Sequence, residues 1–488
     1  MTTRNIILAL LLGVGCGSAA AQKTAGGGIT PQMLAAIEKA QPAAAADGST
    51  AGSNATAAAN RVLTRALTNA IATNAIDDLA KNRANAGPFD TQFSVETPKQ
   101  SITDQKSSGR CWMFSAMNVL RSDFARQHAD SLTVELSQDY LFFYDQLEKA
   151  NLMLQGVIDT AKEPMESERV RFFFHSPIGD GGTYCGLVDL APKYGVVPAE
   201  VVPETYSAEN TSKMRQLITS KLREYGLELR RMVADKKKAS AIQERKTEML
   251  SEVYRMLTLT LGEPVKEFTY AFKDKNGKTR TEAKRYTPHS FYVELTGGRQ
   301  LEGSFIMVMN DPRREYHKTY EVEWDRHTYD GTNWKYLNLP MEDIEQLAIA
   351  QLKAGRKLYS SYDVGKQLDR KRGYADTENF DYASLMGTTF PMSKADRIAT
   401  FDSGSTHAMT LTAVDLDKDG KPLKWKVENS WGASWGQSGY LIMSARWFRE
   451  YMFRLVVDKE YVSEQLLKEA EQKPTMVMPE DPLFQEDF

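Results

Sequence analysis

The sequence is poor in the residues that carry metal and redox chemistry. Its 488 residues hold three cysteines and six histidines. None of His289, His317 and His327 sits in a His-Glu-x-x-His spacing, which excludes a zinc-hydrolase helix. No metal or cofactor is expected. Charge of one sign is also lacking: 61 Lys and Arg against 64 Asp and Glu leave a formal net charge of −3. That balance excludes the basic footprint of a nucleic-acid binder. The run Lys236-Lys237-Lys238 reads as a solvated helix face. No apolar run reaches the ~20 residues of a membrane span. No internal repeat of fixed period occurs.

What remains is a globular composition, 42% hydrophobic and 26% charged, with ample material for a buried core. The length suits about three domains, or one domain with large insertions. The first residues read as an export signal: Arg4, the apolar stretch Ile6 to Val14, and small residues at Ala19-Ala20-Ala21. This predicts cleavage after Ala21 and a periplasmic or secreted protein. The rival is a lipoprotein anchored through Cys16, but Gly13 replaces the apolar residue usual three places before such a cysteine. Residues 22–60, rich in Ala, Gly, Ser and Thr, read as a flexible tether with marginal helix. Cleavage would leave two cysteines, Cys111 and Cys185.

From Val62, apolar residues recur at helical spacing through Leu79, which predicts a helix ending before Gly87-Pro88. The clearest helix runs from Cys111 to about 127, with Met113, Met117, Leu120 and Phe124 on one face. Further helices are predicted at Ser137 to Asn151, Gly186 to Tyr194, most of 208–260, and Met341 to Lys353. Residues 266–325 alternate as strands do. Strands are also expected at Ala408 to Val414, Trp425 to Asn429, Tyr440 to Ser444 and Leu455 to Val457.

Three segments carry chemistry. In Gln105-Lys106-Ser107-Ser108-Gly109-Arg110-Cys111-Trp112 the cysteine falls in the first turn of its helix. Unbonded N–H groups and the helix dipole there favour a thiolate. Gln105 offers an amide donor for an oxyanion, with the Cys111 N–H as the second. Taken alone, Cys111 reads better as a buried structural cysteine; the whole pattern reverses that. In Thr406-His407-Ala408-Met409 a scarce histidine opens an apolar strand, positioned to take the thiol proton. The alternative is a satisfied histidine. In Asn429-Ser430-Trp431-Gly432 the asparagine follows His407 by 22 residues, enough for a strand, a turn and an antiparallel return. Its amide would orient the imidazole, and Trp431 would shield that bond. The alternative is a strand ending in a turn.

Together the three motifs resemble the papain superfamily. The strings from Asp104 to Trp112, Thr406 to Met409 and Val427 to Gly432 resemble its bleomycin hydrolase and bacterial aminopeptidase C branch. So do Lys193 to Pro198, Asn310 to Arg313 and Tyr336 to Pro340. The resemblance implies Cys111 as nucleophile, His407 as base, Asn429 as orienting residue and Gln105 as oxyanion donor. It implies an α+β, papain-like two-lobe fold: a helical lobe and an antiparallel barrel-like sheet lobe over residues 61–488. The Cys–His separation of 296 residues (407 − 111) exceeds the ~130–150 usual in papain-like peptidases. The surplus predicts an insertion at about 208–400, which in relatives forms a helical domain and a hook that builds a homohexamer. Ser108 stands where papain has a cysteine, so Cys185 is expected as a packed, reduced thiol. In relatives the C-terminal tail, here 474–488, enters the cleft and meets the substrate's free amine, which implies a cysteine-type aminopeptidase acting on peptides. The ending Phe484-Gln485-Glu486-Asp487-Phe488 departs from the small residues more common there. The rivals are an endopeptidase on the same fold and a non-catalytic exported peptide-binding protein.

Overall fold

The structure is a computed structural model that describes residues 28–40 and 55–484. The expected signal segment 1–21 and the last four residues of the tail lie outside the described residues. The chain divides into two units, 1–80 and 81–488.

The first unit contains helices Pro31–Ala40, Ala55–Thr73 and Ile76–Ala80. The first of these lies wholly within the stretch read as tether, as alanine-rich sequence readily allows. The helix predicted to approach Gly87 ends earlier, at Thr73. There Thr73 Oγ1 and Asn74 Nδ2 bond the carbonyls of Asn69 and Ala70 and satisfy the helix end. Val62, Leu63, Leu67 and Ile76, from the apolar spacing that predicted the helix, are exposed.

In the second unit, helix α1 spans Cys111–Gln127 and buries Met113, Met117, Leu120 and Phe124 as its periodicity predicts. Helix α2, Gln138–Asp159, starts where Ser137 Oγ accepts from Tyr140 N–H. It runs past Asn151 because Leu152, Met153, Leu154 and Val157 continue its buried face. Helix α3, Tyr184–Tyr194, stops at Gly195, whose φ is +75°. A side chain at Gly195 would meet the Pro288 backbone at 2.1 Å. Helices α4, Ser212–Ala234, and α5, Ala239–Leu261, account for the charged helical stretch. The lysines at 236–238 form the turn between them rather than a helix face, with Lys236 at φ +55°. Helix α6, Pro288–Thr296, interrupts the alternating region where only strands were expected. Its signal was local: a Thr287–Ser290 capping box and Pro288 at the first position. Helix α7 is Met341–Lys353.

The main strands are β1 Phe305–Met309, β2 Lys318–Val322, β3 Lys335–Asn338, β4 Leu358–Tyr362, β5 His407–Leu416, β6 Pro422–Glu428, β7 Tyr440–Ser444, β8 Met452–Asp458 and β9 Thr475–Val477. They join one sheet in the order β9-β2-β3-β1-β8-β4-β5-β6-β7. The run from β1 to β7 is antiparallel, as expected for the sheet lobe. Beyond it, β1–β3 and β2–β9 pair parallel. The stretch 208–400 is therefore divided: α4 and α5 cover α2, whereas β1 to β4 are strands of the main sheet. Alternation along β1 sends Met307 and Met309 to the helical core, and Ile306 and Val308 to a second core under α7. Helix α1 packs on β5 and β4, which sets its N-terminus beside the start of β5.

Candidate active site

That packing brings Cys111 and His407 together. Cys111 opens α1 behind Arg110, which makes no side-chain cap, so no side chain at the cap competes for the first N–H groups of the helix. The backbone N–H of Ala408 lies 3.5 Å from Cys111 Sγ. His407 is buried, and its Nε2 lies 2.8 Å from Asn429 Oδ1. The same oxygen accepts from the N–H of Ser430 at 2.8 Å. Oδ1 is thus the acceptor, Nε2 carries the proton, and Nδ1 is the ring nitrogen left for the thiol. Asn429 is fully buried immediately after β6, and Trp431 lies over His407 with ring centroids 4.8 Å apart. Burial pushes the His407 pKa down to about 4, opposed by the Asn429 hydrogen bond and assisted by the charge of Arg370. The imidazole is therefore neutral, and able to accept a proton, in neutral solution.

Gln105 lines the same cleft of about 630 Å3 with Cys111, His407 and Trp431. Its backbone N–H donates to Ser430 O at 2.8 Å, and its Oε1 accepts from Ser430 Oγ at 2.6 Å. Its Nε2 gives one hydrogen to Ser108 O at 2.6 Å and retains a second. Ser430 thus couples the Gln105 segment to the residue that holds the imidazole. All four residues singled out in the sequence share this site.

Asp180 was not singled out. Its Oδ2 accepts from Gly109 N–H at 2.7 Å, and its backbone oxygen accepts from Trp112 Nε1 at 3.0 Å. Thr211 and Arg215, at the start of α4, also donate to its carboxylate. Asp180 therefore ties the loop before Cys111 to the helical stretch. A side chain at Gly109 would meet it at 2.6 Å. The only sequence signal was the glycine-flanked loop Gly179-Asp180-Gly181-Gly182. Beneath α1, Arg121 meets Glu428 at 2.9 Å and Lys357 meets its other oxygen at 2.7 Å, all three buried. This connects α1 to the residue before Asn429.

Neither Cys111 nor Cys185 is in a disulfide. Cys185 is buried against Met307, and burial pushes its thiol well up. Among the described residues no group of His, Cys, Asp and Glu is arranged to hold a metal, and no helix is long and apolar enough to cross a membrane. The tail pairs β9 with β2, and Asp481 meets Arg313 and Arg314 at 2.7 and 2.6 Å. Leu483 and Phe484 are buried. Arg454, which lines the cleft, lies 5.5 Å from the Phe484 ring centroid.

Residues 52–484 match the model of the Peptidase C1-like family. The chain is 37% identical over 424 residues to aminopeptidase C of Streptococcus thermophilus, covering 86% of this chain and 94% of that protein. It is 36% identical over 415 residues to human bleomycin hydrolase, covering 83% and 91%. The crystal structure of PepW from Lactobacillus rhamnosis HN001 superposes with a TM-score of 0.84 at 36% identity, over 94% of this chain and 99% of that one.

Proposed function

The chain belongs to the Peptidase C1-like family of cysteine peptidases, and from that premise we propose that it is an aminopeptidase working through Cys111, His407, Asn429 and Gln105. The observation that carries this reading is the His407–Asn429 bond of 2.8 Å beside a cysteine at a helix N-terminus. His407 Nδ1 takes the thiol proton, and the thiolate attacks the scissile carbonyl carbon, forming a C–S bond. The carbonyl electron pair moves onto oxygen, where the Cys111 N–H and the second Gln105 amide hydrogen stabilise it. As the intermediate collapses the C–N bond breaks, and the imidazolium protonates the departing amine. Water, losing a proton to His407, then attacks the thioester. The acid leaves, and the proton returns to sulfur.

The anchored tail supports exopeptidase action. Asp481 clamps it to Arg313 and Arg314, and its buried Phe484 stands beside Arg454 of the cleft wall, where the tail would shorten the space for residues preceding the scissile bond. The test compares free-amine and N-blocked aminoacyl reporters with intact protein, protein lacking residues from Pro482 onward, and Cys111→Ala. Intact protein should cleave only the free-amine substrate, truncation should admit the blocked one, and Cys111→Ala should abolish both. Efficient cleavage of blocked substrate by intact protein would favour an endopeptidase. Activity persisting in Cys111→Ala would overturn the mechanism.

A further inference from the structure

Arg370 enters the site as described so far only through the effect of its charge on His407. It lies in the turn between the short strands Leu368–Asp369 and Tyr374–Ala375, is exposed, and pairs with no carboxylate among the described residues. Its guanidinium carbon stands 5.6 Å from the Trp431 ring centroid. Its neighbours are engaged elsewhere. Asp369 accepts from the N–H groups of Lys371 and Arg372. Arg372 donates to the carbonyls of Asn85 and Gly87. Across Trp431, Asp104 is paired with Lys106 at 2.7 Å. Among the described residues, Arg370 is therefore an uncommitted cation at the Trp431 rim, held against an aromatic face that limits its freedom.

The chemistry says which part of a substrate meets this rim. His407 delivers its proton to the departing nitrogen, so the leaving peptide must lie on the His407 side of Cys111 Sγ. Trp431 covers that side. A guanidinium in this position matches a carboxylate, which it engages through two parallel N–H donors. We propose that Arg370 is a specificity-determining residue that binds a carboxylate on the leaving part of the substrate, selecting short or acidic peptides. This rests on the peptidase reading above. The carboxylate is either the free C-terminus of a di- or tripeptide or an acidic side chain next to the scissile bond.

Two substrate pairs separate these sources: Ala-Ala against Ala-Ala amide, and Ala-Glu amide against Ala-Gln amide. The readout is the ratio of kcat/KM within each pair. An exposed, charge-assisted contact predicts about a threefold to fivefold preference for the acid in at least one pair. The ratio should fall to about 1 in Arg370→Ala, be partly retained in Arg370→Lys and invert in Arg370→Glu. Added salt should weaken the wild-type ratio. A ratio near 1 in both pairs for the wild type, or a preference that survives Arg370→Ala, overturns the proposal. Turnover of a neutral aminoacyl arylamide, and its loss in Cys111→Ala, reads the peptidase mechanism separately. Calorimetric affinity of Cys111→Ala for the same pairs tests the subsite without chemistry, and equal affinities within both pairs also overturn it.

Discussion

At the residue scale, the site depends on opposing influences on one imidazole. Burial of His407 outweighs the Asn429 hydrogen bond, and its pKa lies at about 4 rather than near 6.5. The neutral form is thus favoured in the folded protein. Stability from this residue is present above about pH 6.5 and is lost as pH falls toward 4. In Cys111→Ala, where no thiolate opposes the ring, NMR should find His407 titrating near 4. Adding Asn429→Ala should lower it further, and adding Arg370→Ala should raise it. An ordinary value in Cys111→Ala would remove burial as the cause. Gln105 is the second residue with a measurable role. Gln105→Ala should cost ~10²–10³ in kcat if its remaining amide hydrogen meets the oxyanion. A loss spread into KM alone would instead mark it as a binding residue.

At the element scale, the question is what keeps α1 and the β6 end in register. Arg121 of α1 and Lys357 before β4 hold the two oxygens of Glu428, and Asn429 follows directly. Both cations lie in the interior and share one carboxylate, so removing Glu428 leaves two buried charges uncompensated. Glu428→Gln should cost ~3–5 kcal/mol of stability, read by chemical denaturation. A loss under 1 kcal/mol would show that packing alone aligns the two elements. Here the sequence was informative about each element and silent about the connection. The apolar stripe of α1 and the apolar run of β5 are local patterns. That Arg121 and Glu428, 307 positions apart, share a hydrogen bond is not a local pattern. Helix α6 shows the converse case: its capping box was legible, but the alternation around it favoured strands.

At the scale of the whole molecule, the tail is the segment whose placement decides which substrates enter. Asp481 bridges Arg313 and Arg314, which also hold Asp311. Asp481→Ala should therefore leave the two arginines paired while releasing the tail. N-blocked substrates should then be cleaved faster, while free-amine turnover changes less. Equal rates for blocked substrate in variant and wild type would show that the clamp does not govern access.

The chemistry to expect was legible in the order of residues: a cysteine at a helix start with Gln105 six residues upstream, a histidine at a strand start, and an asparagine one strand-pair later. These are short-range relations, set by backbone periodicity and turn chemistry, and they are written in adjacent residues. The same order determined most helices and the central antiparallel strands, whose apolar spacing is a property of each segment. How those segments meet is set by packing in three dimensions. Packing placed β1 to β4 of the long insertion in the main sheet and left the stripe at Val62, Leu63 and Leu67 exposed. It also made Asp180, Ser430 and the Arg121–Glu428–Lys357 cluster the supports of the site, and put Arg370 over Trp431. Burial and pairing between distant residues come from packing, and a one-dimensional pattern contains the propensity for an element but not the identity of the surface it will cover.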